Sequence, residues 1–410
     1  MLQKKKLMLA AVMFAGLAMT LSGCAEKRAR GVTDTEVVIG QWGPQTGPAA
    51  LWGAIARGTQ CYFDMINDEG GIAGRKIRYV MRDDAYQPAK TVAAVKEMVE
   101  NEGVFAFVGG VGTATGMAVR DYLDENQVPW VFPASGSTHW AWPQSKYLFS
   151  GFPLYCDEAA ILVDYAVNTL GKKKIAIFYQ NDDYGLGGYY GAQLQLESLG
   201  MEFVEAVSFE IMDSDVSSQA LRLKQSGADA VLIYATPKHA PMILAESAKI
   251  GFEPQWMSSN TLSDMPLMYK ISGGAWKDMI FANFAEMPDS DSPLMQKYRA
   301  AQQKYMPDES WGVFFLAGFL FAEPAVEALK RSGKDLTPES FVAAMESLKD
   351  FKGIGPSLTF GPDVRQGSRS VYLVRCISGT EYEKLTDWVT STIDVDEAVR
   401  RLRGEKAAAE

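Results

Sequence analysis

The hydrophobic positions along this chain alternate between two kinds of segment. Short, uninterrupted apolar runs typical of buried strands are each followed by a longer stretch whose apolar residues recur at helical spacing. Residues 105–138 show this most clearly: two apolar runs, each ending in a small-residue loop, flank one helical stretch. In a parallel sheet both loops would emerge at the carboxyl ends of neighbouring strands, where open α/β sheets bind ligands.

The two loops of this stretch are suited to an anion. Residues 109–112 are glycine-rich and precede a helix, so they can offer free backbone N–H groups and the positive end of the helix dipole. Hydroxyl groups at Thr113, Thr115, Ser135 and Ser137 add further hydrogen-bond donors. The alternative interpretation is that glycine and serine only punctuate two buried strands.

The same alternation of strand and helix occurs twice along the chain. It runs through the first 150 residues, restarts at residue 157 and continues to a strand at residues 278–284. With 410 residues, of which 47% are hydrophobic, the chain is long enough to bury two cores. We therefore predict an α/β fold of two doubly wound units, each with a parallel sheet covered by helices.

The C-terminal part departs from this rhythm. Three consecutive helices are predicted over residues 294–348, and the middle one, residues 312–331, is apolar nearly all round and must be buried. Late strands are predicted at residues 358–360 and 371–376. The charged, alanine-rich residues 394–410 are predicted to form a loosely attached polar tail.

The N-terminus carries the features of an export signal. Residues 1–23 contain a run of lysines, then an uncharged apolar run too short to span a membrane comfortably, then small residues. The ending Leu-Ser-Gly-Cys resembles a bacterial lipobox. We therefore predict that Cys24 is the lipid anchor of an exported protein in the cell envelope or periplasm, followed by a polar linker, residues 24–34. An accidental cysteine is the alternative.

Composition and charge argue against several other functions. The chain has 40 basic and 50 acidic residues, and no stretch combines clustered basic residues with aromatic platforms, so nucleic-acid binding is not expected. His139 and His239 are the only histidines and no cysteine pair has CxxC spacing, which argues against a metal site or a histidine-based triad. The sequence leaves a bridge between Cys156 and Cys376 undecided.

An enzyme is the rival class, and a nucleotide-dependent oxidoreductase is its best form. Residues 110–116 have the spacing GxGxxxG, one residue longer than the dinucleotide fingerprint, and no strand-end acidic residue follows at the usual distance. The acidic pairs at residues 83–84 and 182–183 fall in turns, where aspartate caps the next helix. We therefore expect no catalytic residues and no cofactor.

Several short motifs occur in an order and spacing that indicate a family resemblance. They are TGP at residues 46–48, NDEGGIAGRK at 67–76, YQNDDYG at 179–185 and SGADA at 226–230. Together with the two small-residue loops they resemble the leucine/isoleucine/valine-binding protein family, the type I periplasmic solute-binding proteins of ABC importers. The resemblance covers about residues 36–393. It implies two Rossmann-like lobes joined by crossover strands, with a ligand cleft between them.

The resemblance also implies how the chain is divided and what it does. Lobe 1 is expected to comprise residues 35–152 and 284–364, and lobe 2 residues 153–283 and 365–393. A monomer closes its lobes on a small ligand without chemistry and presents it to an ABC permease and its ATPases. The membrane is reached only through the N-terminal lipid. A ligand-sensing subunit would share the fold and stays open as an alternative.

The amino-acid binders of this family indicate which residues form the cleft. In them the ligand carboxylate is held after the third and fourth strands, and aromatic and hydroxyl residues line the other walls. By position these residues are Thr113, Ala134, Ser135 and Gly136 around the carboxylate, and Trp52, Tyr184 and Thr236 along the walls. A lobe 2 carboxylate usually meets the ligand ammonium in this family, but Asn260 stands at that position.

Asn260 supplies no charge, and an ammonium buried without a counter-charge costs several kcal/mol. We therefore predict a ligand that has a carboxylate but no required α-ammonium. An aromatic or apolar acid is favoured, because the chain is 11% aromatic with nine tryptophans and residues 133–140 resemble a family subgroup associated with aromatic acids. Asp264 or Glu286 could supply the charge instead, which leaves a branched-chain amino acid as the alternative ligand.

Overall fold

The structure, a computed structural model, describes residues 28–405. The predicted export signal, the predicted lipid anchor Cys24 and residues 406–410 lie outside the described residues. Within residues 28–405 the chain forms two open β-sheets that are each flanked by helices. The predicted α/β class with two doubly wound units is therefore confirmed.

The first sheet is formed by the N-terminal strands. These are β1 (Glu36–Gly43), β2 (Lys76–Asp83), β3 (Ala106–Val108), β4 (Trp130–Val131) and β5 (Leu148–Phe149). They are all parallel and lie in the order β2-β1-β3-β4-β5. The connecting helices are Ala54–Asp68, Pro88–Glu100 and Thr113–Glu125, with short 3₁₀ turns at Ala50–Gly53 and Thr138–Trp140. Because helices cover both faces, the central strands are apolar throughout rather than alternating.

The second sheet is larger. Its strands are β6 (Ile175–Gln180), β7 (Glu205–Phe209), β8 (Ala230–Tyr234), β9 (Gln255–Ser258), β10 (Ile280–Asn283), β11 (Tyr372–Cys376) and β12 (Tyr382–Lys384). They lie in the order β12-β11-β10-β9-β8-β6-β7, and only β11 and β12 run antiparallel to their neighbours within the described chain. Its helices are Tyr155–Asp164, Asp183–Ser198, Ser217–Ser226, His239–Lys249 and Met265–Ile271.

Three helices between β10 and β11 return to the first sheet. They are Pro293–Tyr305, Val313–Ser332 and Pro338–Glu346. The middle one is buried nearly all round, as predicted, and packs on Ala54–Asp68. Two glycines permit this packing: a Cβ at Gly58 would lie 1.9 Å from the Phe315 carbonyl oxygen, and one at Gly318 would lie 2.2 Å from the Ile55 carbonyl oxygen. The two helix backbones therefore touch directly.

These connections define two working units. We use "lobe 1" for the first sheet with the three returning helices, and "lobe 2" for the second sheet with its own helices. The names follow the ranges proposed from the resemblance, residues 35–152 with 284–364 and residues 153–283 with 365–393. None of the helices within residues 28–405 has both the length and the apolar character that crossing a bilayer requires.

The described part of the C-terminal tail is not loosely attached. Residues Val395–Leu402 form a helix that buries Val395, Ala398 and Val399 beside Leu154 and Cys156. These apolar residues recur at helical spacing, and Asp394 accepts hydrogen bonds from the first-turn amides, so the segment is an amphipathic helix with an N-cap. The prediction was wrong because the high charge of the segment concealed this narrow apolar stripe.

The structure also bears on a predicted strand and on a cysteine pair. Residues 358–360 form no strand; Leu358 makes a single bridge to Phe351, because glycine and proline on both sides interrupt a longer ladder. Cys156 and Cys376 are both free and buried, so the bridge that the sequence left undecided is not formed.

Candidate functional site

A cavity lies where the carboxyl-end loops of the two sheets face each other. It contains about 470 Å³ of space not filled by atoms, including its opening. Aromatic side chains form most of its wall, among them Trp52, Tyr86, Phe152, Tyr155, Tyr184 and Phe321. A mainly apolar lining with a few polar groups is typical of sites that bind small organic molecules.

In lobe 1 the wall consists of two small-residue loops that lie side by side. The Ala134 amide donates to the Gly110 carbonyl at 3.0 Å, and the Gly112 amide donates to the Ala134 carbonyl at 3.3 Å. Gly110 has a φ of 88°, and a Cβ there would lie 2.5 Å from the Trp42 ring, so the loop requires glycine. Gly112 and Ala134 line the cavity beside the start of helix Thr113–Glu125.

The other residues expected to hold a carboxylate lie directly behind this wall. The hydroxyl oxygens of Thr113 and Ser135 are 2.7 Å apart and hydrogen-bonded to each other, and both side chains are buried. Gly136 packs against the Pro153 carbonyl oxygen, which would lie 2.0 Å from a Cβ at this position. Thr113, Ser135 and Gly136 therefore support the loops, whereas Ala134 faces the cavity.

In lobe 2 the wall comes from the loops that follow β6 and β9. Asp182 caps the helix Asp183–Ser198 by accepting from the Tyr184 amide at 3.0 Å, which fixes Tyr184 at the start of the helix. The Tyr184 hydroxyl oxygen lies 2.6 Å from Thr261 Oγ1. Tyr184, Asn260 and Thr261 all line the cavity, so the two loops meet there as one surface.

The two lobes touch each other across the cleft. Trp52 Nε1 in lobe 1 donates to the Thr261 carbonyl in lobe 2 at 2.9 Å. The rings of Trp52 and Tyr184 meet edge to face, with centroids 6.4 Å apart. The Phe314 amide in lobe 1 donates to Asp264 Oδ2 in lobe 2 at 3.0 Å. The structure thus shows the lobes in contact at residues that line the cavity, Trp52, Thr261 and Phe314.

A carboxylate that was not predicted from the sequence lies behind Asn260. Glu158, on helix Tyr155–Asp164, is fully buried. Its Oε1 accepts from the Tyr234 hydroxyl at 3.0 Å, and its Oε2 accepts from the Asn260 amide at 3.0 Å and also from Asn260 Nδ2. Burial raises the pKa of Glu158 to about 7, although the hydrogen bonds from Asn260 and Tyr234 act to lower it.

The sequence held one signal for Glu158. Asp157 and Glu158 form a charged pair inside the otherwise largely apolar residues 152–163. Asp157 has a basic partner, because the Arg369 guanidinium donates to both of its oxygens at 2.7 and 2.6 Å. Glu158 is held by neutral donors instead. Buried acids with a shifted pKa beside a cavity occur often at functional sites, which makes Glu158 a candidate.

Three other expectations are not met by the structure. Thr236 does not line the cavity, because its Oγ1 lies 2.7 Å from Nδ1 of His239, three residues later, and is hydrogen-bonded to it. Asp264 is engaged by the Phe314 amide, and Glu286 accepts from the Ser290 hydroxyl. Neither carboxylate lines the cavity, so Glu158 is the charge that adjoins Asn260.

The histidines are engaged in other contacts. His139 Nε2 in lobe 1 lies 3.4 Å from Asp183 Oδ2 in lobe 2. The His239 ring packs against Phe209, and its Nε2 lies 3.0 Å from the Asp213 carbonyl. In the part of the chain that the structure describes, no group of three or more His, Cys, Asp or Glu side chains is arranged to hold a metal ion.

Comparison with known proteins gives consistent matches. Residues 36–381 match the family described as "Periplasmic binding protein". An "Amino acid binding protein" from Pseudomonas aeruginosa is 28% identical over 275 residues, which cover 65% of this chain and 72% of the relative. A "Leu/Ile/Val-binding protein homolog 3" from Brucella melitensis is 24% identical over 320 residues, covering 78% and 84%. The crystal structure of a substrate-binding periplasmic protein from Ralstonia solanacearum has a TM-score of 0.79 at 26% identity, covering 86% of this chain and all of that one.

Proposed function

Because the chain belongs to the periplasmic binding protein family, in its leucine/isoleucine/valine-binding branch, we propose that it captures a small carboxylic acid between its lobes and delivers it to an ABC permease. The observation that carries this proposal is the mainly aromatic cavity at the meeting point of the two lobes. No chemical conversion is proposed, since closing on the ligand and opening at the permease suffice.

We place the ligand carboxylate at the lobe 1 wall, near Gly112 and Ala134. This wall consists of backbone and small side chains at the start of helix Thr113–Glu125, whose positive end stabilises an anion. A polar oxygen already lies close by, that of Tyr155. Burial raises the pKa of the Tyr155 phenol, so it is a neutral hydroxyl beside this wall.

The remaining walls favour an apolar or aromatic ligand body. Trp52 and Tyr86 stand close together at one side, with ring centroids 5.7 Å apart, and Phe152, Phe284 and Phe321 stand on another. Such rings bury apolar ligand surface, and well-oriented aromatic pairs add about 0.5–1.5 kcal/mol beyond that burial. These walls support an aromatic or other apolar acid as the ligand.

A branched-chain amino acid is the second candidate, and one observation favours it. Glu158 places a carboxylate in direct contact with Asn260, so an ammonium at this wall would have an opposite charge one residue away. The relatives from Pseudomonas aeruginosa and Brucella melitensis are by name binders of amino acids. Both candidates share the carboxylate and differ in the group that meets Asn260.

We further propose that the protein is a monomer anchored to the cell envelope through a lipid on Cys24. The lipobox-like sequence before Cys24 and the periplasmic family support this location. Incorporation of labelled fatty acid into the full chain, with Cys24→Ala as the unlabelled control, tests the anchor. Neighbouring permease and ATPase genes would favour import over the alternative role as a ligand-sensing subunit.

Two measurements test the proposed ligand. Native mass spectrometry of protein purified without refolding gives the mass of any molecule that remains bound. Calorimetric titration with leucine, benzoate and cinnamate then ranks the two candidates. Tight binding of an aromatic acid without leucine binding supports the amine-free acid, whereas tight leucine binding overturns it in favour of the amino acid. A co-purified molecule that is not a carboxylic acid would overturn both.

A further inference from the structure

Asn260 is held in one orientation by a buried acid. Its backbone amide and its side-chain Nδ2 both donate to the same oxygen of Glu158, Oε2. A backbone amide can only donate, so Oε2 acts as an acceptor here, and the NH₂ end of the Asn260 side chain points toward it. The other end of the amide, Oδ1, is thereby turned away from Glu158.

The Asn260 Oδ1 atom is an unused acceptor at the cavity wall. Asn260 lines the cavity and is 1% exposed. Within residues 28–405, its Oδ1 is buried and has no hydrogen-bond partner, and the same holds for Oγ of Ser263 on the same wall. Buried polar atoms are nearly always hydrogen-bonded, so an orphaned pair beside a cavity points to a missing partner.

Other groups around Glu158 contribute only neutral contacts to this arrangement. Tyr234 donates to Glu158 Oε1 from β8, and Ser259 precedes Asn260 on the loop after β9. The nearby titratable groups are the phenols of Tyr155, Tyr184 and Tyr234, and burial raises the pKa of each above its ordinary value. They therefore stay protonated and act as neutral neighbours of the carboxylate.

We infer that Glu158 is a positioning residue that presents Asn260 Oδ1 to the cleft, so that this wall selects ligands carrying a hydrogen-bond donor, either a hydroxyl or an ammonium. The inference rests on the proposed function and narrows it: the ligand is an acid with a donor group at the lobe 2 end. An acid with only hydrocarbon there would leave Oδ1 buried and unpaired, which is the more costly outcome.

Two matched sets of acids test this selection. One set is leucine, 2-hydroxy-4-methylpentanoate and 4-methylpentanoate; the other is phenylalanine, 2-hydroxy-3-phenylpropanoate and 3-phenylpropanoate. Within each set only the donor changes, from ammonium to hydroxyl to hydrogen. By calorimetry we expect the better donor-bearing acid to bind roughly tenfold or more tightly than the plain acid. Equal or tighter binding of the plain acid in both sets overturns the inference.

Glu158→Gln tests the positioning role. Glutamine has the same shape but can donate to Asn260 Oδ1, which lets the amide turn and satisfies the orphaned acceptor. The preference for donor-bearing acids should shrink to within roughly twofold. The matched control is Glu323→Gln, which changes another buried glutamate that does not line the cavity and should keep the wild-type preference. An unchanged preference in Glu158→Gln contradicts the inference.

A ligand-free measurement separates this inference from the proposed function. Asn260→Asp puts a second carboxylate against Glu158, so its melting temperature should fall more steeply than that of the wild type as pH rises from about 5 to about 8. Adding Glu158→Gln should restore the wild-type slope. If Asn260→Asp alone shows the same dependence of melting temperature on pH as the wild type, the proposed contact between Asn260 and Glu158 is wrong. If the slopes change as expected but none of the six acids binds, the proposed acid ligand fails and the arrangement stands.

Discussion

Glu158 in lobe 2 and Glu323 in lobe 1 are both buried, and burial raises the pKa of each to about 7. Their surroundings differ. Glu323 lies in the long helix Val313–Ser332, where its Oε1 accepts from the Tyr298 hydroxyl at 2.6 Å and its Oε2 accepts from the Ile354 amide at 3.2 Å. Glu323 thus holds a nearby loop of lobe 1 against its core, whereas Glu158 holds a residue of the cleft.

The difference shows what identifies a functional acid. Burial and a raised pKa are common to both glutamates and so cannot separate a structural role from a binding role. The residue that each glutamate holds does separate the two roles. Asn260, held by Glu158, lines the cavity, and its Oδ1 has no hydrogen-bond partner within the described chain. The packing at Glu323 is closed, since a Cβ at Gly353 would lie 1.7 Å from its Oε2. Each of the following predictions tests this contrast, beginning with the largest effect.

The pH dependence of stability should reveal both acids. A folded-state pKa of about 7, above the ordinary value of 4.5, means that the folded protein holds the proton more tightly than the unfolded chain. Stability is then lost as pH rises from about 4.5 to about 7, by up to about 3 kcal/mol for each glutamate. In urea unfolding at pH 5 and pH 8, Glu323→Gln should lose less unfolding free energy between the two pH values than the wild type does. An equal loss in the variant and the wild type would contradict the raised pKa of Glu323.

Removing the tyrosine donor of each glutamate should separate stability from binding. Tyr298→Phe deprives Glu323 of a hydrogen bond and Tyr234→Phe does the same to Glu158, so each should lower the free energy of unfolding at pH 8 by about 2 kcal/mol. Only Tyr234→Phe should also weaken ligand binding, because it loosens the support of Asn260. If Tyr298→Phe weakened ligand binding as much as Tyr234→Phe does, the proposed difference between the two glutamates would be wrong.

Within the cleft, residues that line the cavity should matter more than those behind its wall. Trp52→Ala removes a wall and the 2.9 Å hydrogen bond to Thr261, and should lower ligand affinity roughly tenfold, or about 1.4 kcal/mol. Thr113→Val removes the hydrogen bond to Ser135 and should weaken the free energy of ligand binding by about 1 kcal/mol or less. Trp388→Ala, at a tryptophan that is 43% exposed, is the control. The reverse ranking in calorimetry would place the ligand deeper in lobe 1.

The fold was predictable because its main signal is local. The two apolar runs noted within residues 105–138 contain β3 and β4, since a strand buried on both faces is a continuous apolar segment with turn residues at each end. Contacts between distant segments were not predictable in this way. The approach of Gly58 to the helix that contains Gly318 depends on two glycines far apart in sequence, and each alone resembles an ordinary small residue.

The candidate site was predictable by loop but not by side chain. The loops after the strands do surround the cavity, and Trp52, Ala134, Tyr184 and Asn260 line it. Within a loop, local hydrogen bonds decide which way a side chain points, as His239 does for Thr236. The position of Glu158 in an apolar segment was a signal in the sequence, but its role was not predictable, because it comes from a helix face that meets Asn260 only in the folded chain.

Asp264 of lobe 2 ties the cleft to the end of a lobe 1 helix, where it accepts from the Phe314 amide, and Gly312 leaves room for it because a Cβ there would lie 2.3 Å from its Oδ2. Separation of the lobes would return both the carboxylate and the amide to water. A hydrogen bond to a charged group is worth about 1.5–3 kcal/mol net, so this single contact between the lobes opposes their separation by about that amount. Any partner that opened the cleft would have to break it in addition to the contacts with a bound molecule.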